Sequence, residues 1–408
     1  KVDANTLTAV APPSPNGDDA VATVTVRTGG RVEAEGGTSN GRIWAYAGTC
    51  PPVAFRQQVV ATAAAAGGGA LRVAAPTAIA LGPDGRVYLG LYGGTVQAFG
   101  LDGDWVAGDV CTSSSVGASR SVLSLAFDPL AADDALGLYA ATAVLYYHDR
   151  LGQRLDAWNN GQVVVLDANV GGACLAVVDT VISGLPVSNH DHAVQALEWT
   201  QTGALLLNAG GFSNLGANVN GAKLGGLDET ALSAAVLIAD VRRPGFDGAI
   251  TYNATTDERY AVQTGGWGVT PYAVGVRNSY DSVLHTNGQL YATDNGANKG
   301  FGDVSTDCST SAPSFFTKDK LLRVTRGSYH GHPNRSRGRN DTRECTFRGP
   351  ASGPAPGYTP TLATIGPPSM NGVIEYMGNA WCGALKHELL VGKFTGQNEA
   401  GTTLRAAL

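Results

Sequence analysis

Residues 76–90 read PTAIALGPDGRVYLG, and this stretch carries the clearest strand pattern of the chain. An apolar run leads through the turn sequence GPDG at 82–85 into a second run rich in Val, Tyr and Leu. This is the pattern of a β-hairpin. With a further strand predicted at 95–99, the stretch predicts three neighbouring strands of one antiparallel sheet.

The same strand-turn-strand unit recurs along the chain. Further copies begin at Val122, Val194 and Ala273, the last opening with one strand over 273–284, and fainter copies lie at 360–378 and 388–406. Uneven spacing of this kind is typical of blades with long loops rather than of a short-period solenoid. We therefore predict an all-β, six-bladed β-propeller of four-stranded antiparallel blades with long loop insertions. A β-sandwich, which also uses short alternating strands and glycine turns, is the competing fold.

The composition bounds the class of protein. The 408 residues include 55 Gly, 43% hydrophobic and 15% charged residues, which is enough apolar surface for a large core. The formal net charge of −6 argues against a nucleic-acid partner, because phosphate backbones bind basic surfaces. The longest apolar stretches, 59–66 and 231–239, are about half of the roughly 20 residues that span a bilayer, so no membrane span is predicted.

The beginning of the chain differs from the rest. Residues 11–17 read APPSPNG, which disfavours both a helix and a central strand, and alternating Val and Thr predict a strand at 22–26. We therefore predict an extended Pro-rich arm and strand over 1–41, followed by the propeller over 42–408.

Cysteines and glycosylation sequons indicate the compartment. The six cysteines include no Cys-x-x-Cys pair, which favours disulfides over zinc or redox chemistry, and Cys308 and Cys345 are predicted to pair because they bracket one polar insertion. Asn-x-Ser/Thr sequons predict glycosylation at Asn253, Asn334 and Asn340. Together these features predict a secreted, extracellular protein. Reduced thiols in a cytosolic protein are the alternative.

The densest polar cluster within the apolar frame reads SNHDH, at 188–192, directly before the third copy. A histidine can act as a general base near neutral pH, and a neighbouring carboxylate can fix its tautomer. His192 and Asp191 are therefore candidate catalytic residues. A surface loop is one alternative, and an adventitious metal site is another, since His-x-His places both rings on one side of a strand.

Two further clusters carry possible binding chemistry. Arg277 and Asn278 fall inside the strand predicted over 273–284, where a guanidinium can bind an anionic ligand; a structural Arg paired with an Asp across the sheet is the alternative. The turn TDNGAN at 293–298 offers backbone and amide oxygens of the kind that Ca²⁺ prefers. Plain turn chemistry explains this turn equally well.

In this order, the clusters resemble motifs of the soluble glucose dehydrogenase family that depends on pyrroloquinoline quinone (PQQ), and of its sorbosone and pyranose dehydrogenase relatives. The NHDH stretch at 189–192 resembles the Asn-Asp-His segment that opens a blade in that family. The stretch GVRNSYD at 275–281 resembles Gly-His-Arg-Asn-Pro-Gln-Gly, and GSYHGHP at 327–333 resembles Gly-x-Asn-Tyr-Gly-Trp-Pro. The resemblance implies a six-bladed propeller that binds PQQ and Ca²⁺.

The resemblance also implies individual roles. His192 would accept the proton of the sugar's C1 hydroxyl as hydride moves to the quinone. Arg277 and Asn278 would hold the oxygens of the quinone, and Lys393 matches a lysine that binds a cofactor carboxylate.

A calcium site follows from the same resemblance, because DNGAN at 294–298 is similar to a Glu-x-Gly-Pro-Asn-type turn that donates main-chain oxygens. Gly296 and Ala297 would be the donors, with Asn295 beside them. Departures of the sequence from the family's Arg-Asn motif include Val276, Ser279 and Tyr280.

Two functions remain open. The first is a secreted quinoprotein-like oxidoreductase that oxidises an aldose or related carbohydrate with PQQ and Ca²⁺. The second, favoured by the departures from the motif, is a catalytically degenerate propeller that binds carbohydrate or protein within an extracellular matrix or surface assembly.

Overall fold

A computed structural model of the chain describes residues 53, 61–62, 73, 75–102, 106–132, 135–145, 157–168, 174–217, 228–253, 261–298, 304–305, 311–312, 317–338, 340–349, 357–365, 369–393 and 402–406. The predicted arm over 1–41 lies outside these residues. No helix within them is both long enough and apolar enough to cross a membrane.

The first two sheets follow one another along the chain. In the first, a short strand is parallel to the outer strand of an antiparallel set: β1 (Ala61–Thr62), β2 (Pro76–Leu81), β3 (Val87–Leu91), β4 (Val96–Leu101) and β5 (Val106–Ser113). The second is antiparallel throughout: β6 (Ser121–Phe127), β7 (Leu138–Ala143), β8 (Gly161–Asp167) and β9 (Ala176–Leu185).

The third sheet encloses a separate hairpin in its last connection. Its strands are β10 (Val194–Trp199), β11 (Leu205–Ala209), β12 (Ala235–Ala239) and, after the hairpin β13 (Thr251–Asn253) and β14 (Val262–Gly265), β15 (Val269–Val274). Adjacent strands of this sheet are antiparallel.

The fourth sheet also has a small hairpin inserted, and it is followed by a three-stranded sheet. The strands are β16 (Ser282–Leu284), β17 (Leu290–Asp294), the hairpin β18 (Val304–Ser305) and β19 (Ser311–Ala312), then β20 (Asp319–Val324) and β21 (Ala363–Ile365). The last sheet contains β22 (Met370–Glu375), β23 (Leu389–Lys393) and β24 (Thr402–Ala406). One turn of helix, α1 (Arg335–Gly338), follows β20.

The first strands of successive sheets lie against each other in the order β2, β6, β10, β16 and β22. Sheets that succeed one another around their innermost strands are the blades of a β-propeller. Apolar side chains fill the space between blades; for example, the rings of Tyr139 and Trp199 meet edge to face between the second and third blades, 4.9 Å apart. The prediction of an all-β propeller rather than a sandwich is therefore confirmed.

The number of blades differs from the prediction. Within the described residues four blades have four antiparallel strands, and the fifth sheet has three. The copies predicted at 360–378 and 388–406 are not separate blades, because β22 pairs with β23 and β23 with β24 in one sheet, while β21 completes the fourth blade. The sequence pattern identifies strands but does not say which of them opens a blade.

The connections between the first two strands of each sheet lie on one face of the molecule, and they are tight hairpins in the first, third and fourth blades. In the third blade Thr200 and Ala204 close the turn with an N–H···O bond of 2.8 Å, and Gly203 adopts φ 81°. In the fifth sheet the connection is longer, over 376–388, and His387 near its end adopts φ 64°. The first strands therefore all begin, and the second strands all end, on the opposite face, which we call the top face.

The strand predicted over 273–284 is interrupted. β15 ends at Val274, Gly275 adopts φ 80°, and the chain crosses the top face before β16 begins at Ser282. A Cβ on Gly275 would lie 2.5 Å from the ring of Tyr329, so the bend is also sterically restricted to glycine. The prediction that Arg277 lies inside a strand is therefore wrong, because the residue belongs to a connection between blades.

Disulfides are present, as predicted, although the pair that the structure shows was not foreseen. Cys111 in β5 bonds to Cys174, which joins the first blade to the second. Cys345 and Cys382 each take part in a disulfide as well, and no cysteine among the described residues is free. Cys308 lies outside the described residues, so its pairing with Cys345 stays a prediction. Such bonds persist in oxidising compartments.

The three sequons differ in their surroundings. Asn253, at the end of β13, and Asn340, after α1, are exposed. Asn334 is completely buried, and its Nδ2 donates to the backbone oxygens of Thr230 at 2.7 Å and Ser233 at 3.2 Å. This packing conflicts with the prediction at Asn334, because a glycan on Nδ2 would displace both hydrogen bonds.

One carboxyl group of an innermost strand makes the stability of the fold depend on pH. Burial, and secondarily the charge of Asp281, raises the pKa of Glu198 in β10 from 4.5 to about 7. The folded chain therefore binds more protons than the unfolded chain between these values, and its stability falls as the pH rises through that window. We expect Glu198→Gln to be more stable than the wild type at pH 8 by about 1 to 3 kcal/mol, and nearly equal at pH 4. Urea unfolding at both pH values measures this.

Glu375→Gln is the matched control for that experiment. Burial raises the pKa of Glu375, but hydrogen bonds from Thr286 and His387 outweigh it and lower the pKa. This variant should therefore lose stability at pH 8. Equal effects of pH on both variants would contradict the assignment of the titration to Glu198.

Candidate active site

His192 lies at the centre of the top face, where a closed turn precedes β10. The Ser188 hydroxyl accepts the backbone N–H groups of His190 at 3.2 Å and His192 at 3.0 Å. The His192 side chain is buried, and its Nδ1 donates to the backbone oxygen of Gly211 at 2.7 Å. Because a carbonyl can only accept, the proton of the neutral ring is on Nδ1, and Nε2 carries a lone pair.

The surroundings keep His192 neutral. Burial and the nearby charge of Arg277 lower the pKa of His192 to about 4, with Asp191 acting in the opposite direction. The nearest carboxylate oxygen, Asp191 Oδ1, is 3.9 Å from Nε2. At neutral pH this ring is therefore able to accept a proton.

Asp191 does not fix the tautomer of His192, contrary to the sequence-based prediction. Its side chain is 44% exposed and accepts a short hydrogen bond from His190 Nδ1. Burial would raise the pKa of Asp191, but the hydrogen bond from His190 and the charge of His192 bring it down to about 2. Asp191 is therefore a charged neighbour of the candidate base, while Gly211 orients the ring.

Arg277 is a buried cation that contacts only neutral groups. Its side chain donates from Nε and Nη2 to Asn214, at 3.0 Å to the backbone oxygen and 2.7 Å to Oδ1, and from Nη1 to the backbone oxygen of Asn295 at 3.4 Å. Within the described residues no carboxylate forms an ion pair with the guanidinium. Burial lowers the pKa of Arg277, and the more distant charges of Asp294, Asp191, Asp319 and Glu229 act in the opposite direction. Buried charges in proteins are normally paired, so this guanidinium suits a ligand that supplies oxygen atoms.

Asn278 brings the arginine segment next to the histidine. Its backbone N–H donates to Asp294 Oδ1 at 2.8 Å, and Asp294 is in turn paired with Lys320 at 2.7 Å. The amide oxygen of Asn278 is buried without a hydrogen-bond partner. A Cβ on Gly210 would lie 3.0 Å from this oxygen and 2.7 Å from His192 Cβ, so the two segments meet over this glycine.

The predicted calcium turn lies beside Arg277. The backbone N–H of Gly296 donates to Asp319 Oδ1 at 2.8 Å, and the backbone oxygen of Ala297 accepts Thr317 N at 3.3 Å. The side-chain oxygen of Asn295 is buried and has no hydrogen-bond partner. Among the described residues no three His, Cys, Asp or Glu side chains form a metal cluster. A cation here would therefore depend on amide and backbone oxygens.

Lys393 is less well placed. It ends β23 opposite Met370, at the top face, and its side chain is half-buried. The structure gives no contact between Lys393 and the residues around His192 within the described part of the chain.

Sequence reasoning missed three parts of this site. It overlooked the paired glycines 210 and 211 that follow β11, the amide of Asn214 that holds Arg277, and the carboxylate of Glu229, which accepts the backbone N–H of Phe212 at 2.9 Å. The paired glycines directly after a predicted strand were an available signal, because such positions mark close backbone approach. Asn214 and Glu229 stand in no motif, so only the folded chain reveals them.

Comparison with known proteins gives a likeness of fold. No family model matches the sequence, and no curated protein matches it. The PQQ-bound aldose sugar dehydrogenase of Streptomyces coelicolor is similar at 15% identity, with 82% of each chain covered and a TM-score of 0.47. The apo-form of the soluble aldose sugar dehydrogenase of Escherichia coli is 14% identical over 81% of this chain and 86% of its own, with a TM-score of 0.48. The PQQ domain of pyranose dehydrogenase from Coprinopsis cinerea is 13% identical over 64% of this chain and 54% of its own, with a TM-score of 0.37.

The solved structures that resemble the chain thus include sugar dehydrogenases, the class of protein whose motifs the sequence resembles. The chain is an all-β propeller, and its top face joins a neutral histidine to a buried arginine.

Proposed function

We propose that this protein is an extracellular oxidoreductase that oxidises an aldose or a related carbohydrate with PQQ and Ca²⁺. The observation that carries the proposal is Arg277, a buried guanidinium without a carboxylate partner among the described residues, held beside the neutral ring of His192. A cation and a base in one buried site are the groups that removal of hydride and proton from an alcohol requires.

The residues present fit a quinone. Arginine has five N–H donors, and three of those of Arg277 are used by the carbonyl oxygens of Asn214 and Asn295. The others, with the Nδ2 group of Asn278, would donate to quinone or carboxylate oxygens, and Lys393 would approach from the rim. When bound, PQQ would accept the hydride from the sugar carbon.

His192 would remove the hydroxyl proton of the sugar. The O–H bond breaks as the carbonyl group forms, and the proton passes to Nε2, which carries the free lone pair. The imidazolium then holds one proton on each nitrogen, with the Nδ1–H still donating to Gly211. Asp191, 3.9 Å away and ionised, stabilises this positive charge.

The turn at 295–297 supports the metal part of the proposal. The unused side-chain oxygen of Asn295 and the backbone oxygens of Gly296 and Ala297 would bind Ca²⁺, which accepts six to eight oxygen ligands. The remaining ligands would come from the cofactor and water.

A carbohydrate-binding module without catalysis is the second candidate, favoured by the absence of contact between Lys393 and the site. Reconstitution of the full chain with PQQ and Ca²⁺, followed by dye reduction with a panel of aldoses, distinguishes the two. We expect a bound-quinone absorption spectrum and sugar-dependent reduction of the dye. Sugar binding by calorimetry without a quinone spectrum would overturn the oxidoreductase and leave the binding module.

A further inference from the structure

A fully buried carboxylate lies behind the candidate base. Glu229 Oε2 accepts Phe212 N at 2.9 Å and the Ser233 hydroxyl at 2.6 Å. Its Oε1 accepts Ser213 N at 2.9 Å and His332 Nε2 at 2.8 Å. Burial would raise the pKa of Glu229, but the hydrogen bond and charge of His332, with the hydroxyls of Ser213 and Ser233, lower it to about 2, which favours the ionised carboxylate.

One peptide group connects this anion to His192. The carbonyl of Gly211 accepts the Nδ1–H of His192 at 2.7 Å, and the N–H of the same peptide unit, on Phe212, donates to Glu229 at 2.9 Å. Hydrogen bonds to charged acceptors are stronger than neutral ones, and successive bonds through one amide polarise each other. The carboxylate therefore makes the Gly211 oxygen a better acceptor for the imidazole proton.

The peptide has little freedom to move. The N–H of Gly211 donates to the backbone oxygen of Arg277 at 2.6 Å. A Cβ on Gly211 would lie 3.0 Å from both Glu229 Oε1 and His332 Nε2. Gly211 is thus fixed at its N–H and closely surrounded at its Cα, while the peptide that carries its carbonyl is held by the bond from Phe212 N to the carboxylate.

We infer that Glu229 is a positioning residue that acts on His192 through the Gly211–Phe212 peptide. It holds the proton of the neutral ring on Nδ1, keeps the lone pair of Nε2 directed to the substrate, and supports the imidazolium once the proton has arrived. The catalytic part of this inference rests on the proposed function. The tautomer and the hydrogen bond of His192 do not, because they are properties of the chain alone.

The test measures the ring directly. In the full chain labelled with ¹⁵N-histidine, the His192 signals are assigned by their loss in His192→Gln. We expect the wild type to show the Nδ1–H tautomer with a strongly downfield Nδ1 proton. In Glu229→Gln, which cannot accept both backbone N–H groups, this proton should move upfield and the Nε2–H tautomer should appear. Glu229→Asp retains the charge on a side chain one methylene shorter, and should give the same change in smaller measure.

Glu344→Gln is the matched control. Glu344 is also buried, but it pairs with Arg337 Nε at 3.0 and 2.9 Å and has no contact with Gly211. This variant should lower the melting temperature and leave the His192 signals unchanged. If Glu229→Gln does not fold, Glu229→Asp decides; an unchanged His192 signal in a folded Glu229 variant overturns the inference.

Kinetics separate this inference from the proposed function. If the reconstituted protein oxidises sugar, Glu229→Gln should lower kcat by about 10- to 100-fold, as loss of the partner of a functional histidine does elsewhere, with little change in KM. Glu344→Gln should leave kcat unchanged. If no sugar is oxidised but the His192 signals shift as expected, the proposed function fails while the positioning by Glu229 stands.

Discussion

Replacing His192 by Gln should lower kcat for sugar oxidation by about 100- to 10,000-fold, which is the usual contribution of a general base. The Gln side chain can still donate a hydrogen bond to the Gly211 oxygen, but it has no basic nitrogen to take the hydroxyl proton. Quinone binding should persist, because Arg277 and Asn278 are unaltered. Steady-state dye reduction and the absorption spectrum of the bound quinone measure the two effects separately.

The pH dependence of the wild type provides a second measurement of the same assignment. Since burial and Arg277 lower the pKa of His192 to about 4, the ring stays unprotonated at pH 5, where an ordinary histidine is mostly charged. We expect kcat/KM to hold at pH 5 and to fall only as the pH approaches 4. His387→Gln, on the opposite face and half-exposed, is the control and should be fully active. Full activity of His192→Gln would refute its role as the base.

Arg277→Lys should weaken quinone binding by about 100-fold or more. The guanidinium is planar and donates along several directions at once, whereas an ammonium group cannot reach Asn214 and a ligand in the same geometry. Loss of one or two hydrogen bonds to a charged group corresponds to about 3 kcal/mol, hence the factor of 100. Equilibrium dialysis of PQQ against the apo-protein in excess Ca²⁺ measures the change.

Arg337→Lys controls for the general effect of replacing an arginine that is held by several hydrogen bonds. Arg337 donates to the backbone oxygens of Ala231, Ser233 and Ala234 and pairs with Glu344, so it makes as many hydrogen bonds as Arg277, but none of them reaches the groups proposed to hold the quinone. Its replacement should lower the melting temperature and leave quinone binding unchanged. Wild-type affinity in Arg277→Lys would show that the quinone, if bound, is held elsewhere.

The strands were predictable where the local pattern of apolar residues and turns marks a strand that also opens a blade in the folded chain. Strands β2, β6 and β10 begin within one residue of the predicted starts at Pro76, Val122 and Val194. The prediction failed at Gly275, because apolar residues on both sides make two strands look like one. The predicted number of blades was also wrong. The sequence pattern marks β22 and β23 as strands, but only the packing of the folded chain places them in the same sheet.

The part of the site that was predicted consists of residues that stand beside other polar residues in the sequence. His192, Arg277 and Asn278 were found from their neighbours in sequence, and the structure places them together around Gly210. Their partners could not be found in this way. The carbonyl of Gly211 holds the base, and oxygens of Asn214 hold the arginine. Every residue has a backbone oxygen, so contacts of this kind cannot be predicted from the identity of residues far apart in the sequence.

Glycines 210 and 211 also limit how this protein can evolve. Every replacement of a glycine adds a Cβ, and at these two positions the added atom would meet His192, Asn278, Glu229 or His332 at 3.0 Å or less. One wall of the site is therefore closed to variation by single substitutions. Changes in ligand preference have to arise in the other top-face segments, where side chains can be exchanged without moving the base.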